Sequence, residues 1–341
     1  MPRNLLQKDL HMYELMHWHP VLKSDDLHSA PVKIRILNHD IVMFRDELGK
    51  IGALNDICPH RKMKLSEGSV QNGRLVCPYH GWNLGTDGDC ISPSSGKIEI
   101  AQMQFEAAEK YGAVWIRIKG SSTEFPKFST EGYEMVSIHT DAIAAPLEVV
   151  LDNFTETEHT SSVHAFLGYD EQTLDKVEIR LESTENSVRL YNKGQQKPLP
   201  FLLRAALSLG SSDDFVDDWT TYFSPVYTVY DQYWINPEDG KERKNRLKIY
   251  VFLIPESENV TRLFIFSYMI FSLFMIPGTA FVFSPVLHQL LKMEVDLDKK
   301  MIEKLADKSP SLKGTKLTKF DKALGPNRSR IGKIYRGGSE S

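Results

Sequence analysis

Two short loops carry the residues best suited to chemistry: Cys58-Pro59-His60, then Cys77-Pro78-Tyr79-His80-Gly81-Trp82, with sixteen residues between them. Each loop offers one soft thiolate and one imidazole. Such a set suits a two-iron, two-sulfide cluster in which one iron takes both cysteines and the other both histidines. Replacing two thiolates by neutral imidazoles removes negative charge and makes the reduced cluster easier to reach. Pro59 and Pro78 stiffen the loops by fixing a backbone torsion, and Gly81 permits a close backbone approach. Structural zinc also accepts two cysteines and two histidines, but it usually draws on C-x₂-C and H-x₃-H spacings. The spacing therefore favours an electron-transfer site.

A second constellation runs from Asp152 to His164 and includes Asn153, Glu156 and His159. The sequence predicts a helix around residues 146–159, on which Glu156 and His159 share a face. His159 and His164 are five apart, so both can aim at one point only if the helix ends between them. Thr160-Ser161-Ser162-Val163 is poor in helix formers and is a place for it to end. Two histidines and a remote carboxylate make the face used by non-heme iron(II) enzymes, which leaves positions open for oxygen. Taken alone, H-x₄-H is a weak signal. The carboxylate must come from later in the chain, where Glu294, Asp296 and Asp298 lie close together. Acidic residues near a helix start also suit its dipole, which accounts for Glu294 and Asp296 without a metal.

The two loops resemble the Rieske domain, in the branch found in ring-hydroxylating oxygenases. Respiratory Rieske proteins carry an extra cysteine in each loop, and here those positions hold Lys62-Met63 and Tyr79. The segment around His159 and His164 is similar to the iron-binding segment of Rieske oxygenases, and the chain length resembles the short monooxygenase and demethylase members. The resemblance implies a [2Fe-2S] cluster on Cys58, His60, Cys77 and His80. It implies a mononuclear Fe(II) held by His159, His164 and Asp298. Asp298 matches a family pattern in which the liganding Asp stands five before a Glu, here Glu303; Asp296 is the runner-up. Glu156 matches the bridging acid that links a cluster histidine of one subunit to an iron histidine of the next, although Asp is commoner there. Further implications are O2 as co-substrate, NAD(P)H acting indirectly through a flavin reductase or ferredoxin, and a head-to-tail homotrimer. The implied activity is hydroxylation or oxidative dealkylation of a small organic molecule. Two alternatives stand beside it: a membrane-associated oxygenase acting on a lipid, sterol or pigment, and a Rieske-type electron carrier without oxygenase activity.

The elements that must position these residues fall into two groups. Before residue 125, short strand-like runs such as Val32–Ile36, Ile41–Arg45 and Ala113–Ile118 alternate with turn signals at Asp87-Gly88 and Ser95-Gly96. After it come longer runs, Thr220–Tyr230, Leu247–Pro255 and Arg262–Phe271, and a charged helix over Met293–Asp307. The expected class is α+β: a small antiparallel β domain over 1–125, then a catalytic domain over 126–341. The resemblance gives that second domain a helix-grip-like antiparallel sheet.

Composition narrows the setting. A net charge of −4 argues against a nucleic-acid partner. Three cysteines, two of them assigned to iron, leave no disulfide and suit a reducing, cytoplasmic compartment. Cys90 reads as a small buried hydrophobe. Met1–Met16 lacks the continuous apolar stretch of a secretory signal. Leu263–Leu287 has twenty-five residues without a charge, the length of a membrane span. Pro277-Gly278 and Pro285 interrupt it and favour a buried strand, a turn and a helix instead, with surface association left open. His17-Trp18-His19 reads as packing plus surface. Trp82 is expected to shield the cluster. Arg61, Lys62 and Lys64 either dock an acidic electron donor or are solvated. Arg328, Arg330, Lys333 and Arg336 are expected at the surface or a subunit contact.

Overall fold

The computed structural model describes residues 12–100, 103–270, 272–273, 276–277 and 280–338. Its internal contacts divide the chain into two units, Met1–Pro126 and Lys127–Ser341. The class is α+β, dominated by antiparallel sheets.

The first unit is built from three small sheets. His19–Lys23, Ala113–Ile118 and Phe105–Lys110 form one, and Val32–Ile36, His39–Arg45 and Ile51–Asn55 form another. The third has five very short strands between Ser69 and Ile98. Val42, Phe44, Leu54, Leu65, Leu75 and Leu84 pack with the three cysteines into one buried cluster. Cys90 is fully buried there and bonds to no other cysteine. His17, Trp18 and His19 are all buried, so none serves as surface. The His19 imidazole donates to the Glu14 carbonyl.

In the second unit we label the strands β1 (Glu134–Ile143), β2 (Glu178–Ser183), β3 (Ser187–Gln195), β4 (Asp214–Phe223), β5 (Val226–Ile235), β6 (Glu242–Ser257) and β7 (Val260–Ile270). They form one antiparallel sheet in the order β1-β7-β6-β5-β4-β3-β2. The run Thr220–Tyr230 is therefore a hairpin and not one strand. The chain reverses at Ser224-Pro225, where proline cannot continue a central ladder. Four helices accompany the sheet: α1 (Leu147–Phe154), α2 (Phe201–Ala206), α3 (Ala280–Glu303) and α4 (Leu324–Arg330). Val150 and Leu151 of α1 and Ile302 of α3 join Trp219, Val251 and Ile265 of the sheet in a single core.

Helix boundaries differ from expectation at both functional segments. The first helix ends at Phe154, five residues short of His159. Thr155 explains the stop: its hydroxyl bonds back to the Leu151 carbonyl, and Asn327 Nδ2 donates to that hydroxyl. The late helix starts at Ala280, well before Met293, and contains Pro285 in its early turns. Within Leu263–Leu287, residues 263–270 lie in β7 and 280–287 in α3, while 271, 274–275 and 278–279 lie outside the described residues, as do 1–11. Among the described residues, no helix is long and apolar enough to cross a membrane.

Candidate metal centres

The two cysteine loops fold the same way although their sequences differ. Cys58 N–H donates to the Met63 carbonyl and Lys62 N–H to the Cys58 carbonyl, at 2.8 and 3.0 Å. In the other loop Cys77 N–H donates to Trp82 and Gly81 N–H to Cys77, at 2.7 and 3.1 Å. The fifth residue of each turn is left-handed: Lys62 at φ 60° and Gly81 at φ 69°. The turns thus bring Cys58 beside Cys77, and the His60 and His80 rings to 4.6 Å. Both cysteines are buried and both histidines exposed. Burial raises the Cys58 thiol, and its neighbour Cys77 raises it further against hydrogen bonds from the His60 and Arg61 backbone. Trp82 lies flat on His60 at 4.8 Å. Arg61, Lys62 and Lys64 are exposed beside the histidines.

The second set converges more tightly. His159 stands in a short 3-10 turn, Glu158–Ser161, and His164 follows it. Their Nε2 atoms lie 3.1 and 3.0 Å from one oxygen, Asp298 Oδ1 on α3. Donor atoms of these three residues all fall within 4.8 Å of one another. His159 Nε2 makes no aligned hydrogen bond at that distance, which is the geometry of groups awaiting a shared cation. Burial alone would lower His159, yet the Asp298 and Glu156 carboxylates beside it hold it up at about 10. Burial would raise Asp298, yet the two imidazoles hold it well below the carboxylate range.

Each imidazole is backed by a second carboxylate. Glu156 hydrogen-bonds His159 Nδ1, and Glu294 Oε2 lies 3.6 Å from His164 Nδ1. The Glu156 hydrogen bond fixes the His159 ring and raises its basicity, whereas His164 Nδ1 makes no hydrogen bond to Glu294. Glu294 also accepts from the Ala165 and Phe166 amides, tying α3 to the histidine segment. Asn153 donates to Asp298 Oδ1 at 3.1 Å. Asp296, the runner-up, points elsewhere and groups with His139 and Asp141. There Lys292 holds Asp296 and Lys299 holds Asp141.

Two supports had no signature in the sequence. Lys197 extends its ammonium to the carbonyls of Thr160, Ser161 and His164, at 3.1, 3.0 and 2.6 Å, and so clamps the histidine turn. The carboxyl-terminal arginines are engaged within the unit while Lys333 is exposed: Arg328 pairs with Asp152 and Arg336 with Glu148, both on α1. Arg330 donates to Ser183 Oγ and the Thr184 carbonyl. A basic tail looks alike in sequence whether solvated or folded back, so only the tertiary arrangement separates the two.

The His-His-Asp set borders a cavity. Its floor is one face of the sheet: Asp217 and Trp219 of β4 stand opposite Gln232 and Tyr230 of β5, followed by Val251 of β6 and Ile265 of β7. Period-two alternation puts these side chains on one side. Its roof is the helical stripe Leu291, Glu294, Val295 and Asp298. Trp219 and Tyr230 reach the cavity, and Tyr230 OH also donates to the Phe154 carbonyl at the end of α1. Gln232 Nε2 donates to Asp217 Oδ1 at 3.0 Å, and burial pushes Asp217 up to about 6.

Comparison with known proteins adds a lineage to this geometry. Residues 17–102 match the Rieske [2Fe-2S] domain, and residues 143–334 match the vanillate O-demethylase oxygenase C-terminal domain. Methylxanthine N1-demethylase NdmA of Pseudomonas putida is 34% identical over 172 residues, 43% of this chain and 46% of the relative. The vanillate O-demethylase oxygenase subunit of a Pseudomonas species is 27% identical over 221 residues, 61% of each chain. Both matches span less than two thirds of the relative's length. In fold, dicamba monooxygenase bound to 3,6-dichlorosalicylic acid superposes with TM-score 0.79 and 20% identity, covering 95% of this chain and 98% of that one. The QL mutant of Pseudomonas putida CBB5 NdmA with caffeine gives 0.74 at 22% identity, covering 97% and 94%.

Proposed function

The chain belongs to the Rieske oxygenases, with a catalytic unit of the vanillate O-demethylase C-terminal type, and from that membership we propose that it hydroxylates or oxidatively dealkylates a small organic molecule. O2 is the co-substrate, and a reductase or ferredoxin fed by NAD(P)H supplies the electrons. One observation carries the reading: two imidazoles and Asp298 converge on the wall of a largely apolar cavity, in a chain that also gathers two cysteines and two histidines.

Cys58, Cys77, His60 and His80 would hold the cluster, and their donor set fits it, with sulfur inside and imidazole at the surface. His159, His164 and Asp298 would hold iron, whose facial ligation leaves positions open. When bound, the cluster passes single electrons and the iron activates oxygen. The chain's own residues do the rest. Glu156 orients His159 through Nδ1 and would lie between that ring and a neighbouring subunit's cluster. Glu294 and Lys197 hold the His164 segment in place. The apolar walls position the substrate and restrict water. The exposed His60 and His80, beside Arg61, Lys62 and Lys64, suit an acidic electron donor. A head-to-tail homotrimer fits such a transfer between subunits, and three cysteines free of disulfides fit a cytoplasmic setting.

The test is His159→Ala. The variant should keep the cluster's visible absorption, fall from three irons per chain to about two, and lose turnover. A panel of methoxy, N-methyl and aromatic compounds, scored by oxygen uptake and product mass, identifies the substrate. Retained iron and retained turnover in the variant would remove the assignment.

A further inference from the structure

The cavity carries an unusual charge balance, and it bears on which substrates the proposed oxygenase admits. Four carboxylates border it, from Glu156, Asp217, Glu294 and Asp298, and among the described residues no lysine or arginine does. A divalent ion together with Asp298 and two neutral imidazoles carries one net positive charge, which the other three carboxylates outnumber. Glu156 and Glu294 back the histidines. Asp217 has no such duty. Its carboxylate is 95% buried as a residue and takes its one side-chain hydrogen bond, among the described residues, from the neutral Gln232 amide. The nearby ammonium of Lys197 is engaged by three main-chain carbonyls. An incoming anion would lose its water, meet like charge and find no guanidinium to pair with. An uncharged molecule meets apolar walls, and a cation meets Asp217.

We propose that this site takes an uncharged or cationic, mostly apolar molecule and rejects carboxylates and other anions, with Asp217 as the residue that sets this preference. The proposal rests on the oxygenase reading and adds the charge class of its substrate.

Three 2-methoxyphenols that differ only at the ring's 4-position test it: 4-methyl-2-methoxyphenol (uncharged), vanillylamine (cationic) and vanillate (anionic). Their binding to the intact, metal-loaded protein is measured by anaerobic calorimetry at about 0.15 M salt. The uncharged or the cationic compound should bind at least about tenfold tighter than vanillate. Asp217→Asn should narrow that gap, chiefly by strengthening the binding of vanillate. Asp217→Gln serves as a second variant, and the cluster absorption reports that either one is folded. Vanillate binding as tightly as the others, or no binding by any of the three, overturns the proposal. The oxygenase reading fails differently: a compound binds in the predicted order, yet no bound compound elicits oxygen uptake or product.

Discussion

Lys62 and Gly81 show how single residues set the cluster loops. Both occupy the same left-handed position of the same turn, but only one is the residue type that adopts it freely. Opposite effects follow from the two substitutions. Lys62→Gly should stabilise the first unit by about 0.5–1 kcal/mol, the relief of left-handed strain less the added chain entropy. Gly81→Ala should destabilise it by about 1 kcal/mol, through backbone conformation, because a Cβ there would meet only Pro93 Cγ at ordinary contact distance. Urea titration followed by the cluster absorption reads both. Equal signs for the two would contradict the equivalence of the loops. Spacing alone made Cys58, His60, Cys77 and His80 legible, since a loop of fixed length leaves few arrangements. The equivalence of Lys62 and Gly81 was hidden because nothing in a lysine announces a left-handed backbone.

At the scale of elements, the iron set depends on three pieces meeting: the turn after α1, helix α3 and the loop bearing Lys197. The turn is short and irregular, and its shape is held from outside by the three carbonyl contacts of Lys197. Lys197→Met keeps the apolar stem and removes the donors, so the histidine turn should loosen while the sheet stays intact. We expect iron affinity to fall roughly tenfold, in the range seen when outer supports of a metal site are lost, with the cluster absorption unchanged. Iron content after dialysis against a weak chelator measures it, and wild-type retention would show that the clamp does not position the ligands. The helix periodicity of Leu291, Glu294, Val295 and Asp298 is visible in sequence. That Glu294 sits beside His164 is not, because a helix expected to begin near Met293 gives an acid at 294 an adequate electrostatic reason to be there; the helix in fact begins at Ala280.

At the scale of the whole molecule, two redox centres on one chain raise the question of where electrons cross. If Glu156 receives them from a neighbouring subunit, a chain lacking a working cluster (His80→Ala) and a chain lacking the iron (His159→Ala) should complement each other. Each is inactive alone. Co-expressed at equal levels, random head-to-tail assembly pairs an intact cluster with an intact iron at about one contact in four, and activity should return to about a quarter of wild type. No recovery in mixed oligomers would place the transfer within one chain. What the sequence determined by itself was the chemistry of the donors: loop spacing for the four cluster candidates, and a pair of histidines five apart whose role toward iron came from the resemblance. Tertiary structure decided which carboxylate joins the histidines, which acids only back them, and that Asp217 enters the cavity without a cation. The reason is distance along the chain. His164 and Asp298 are separated by 134 residues yet lie 3.0 Å apart, and local patterns carry no information about contacts closed by packing a helix onto a sheet.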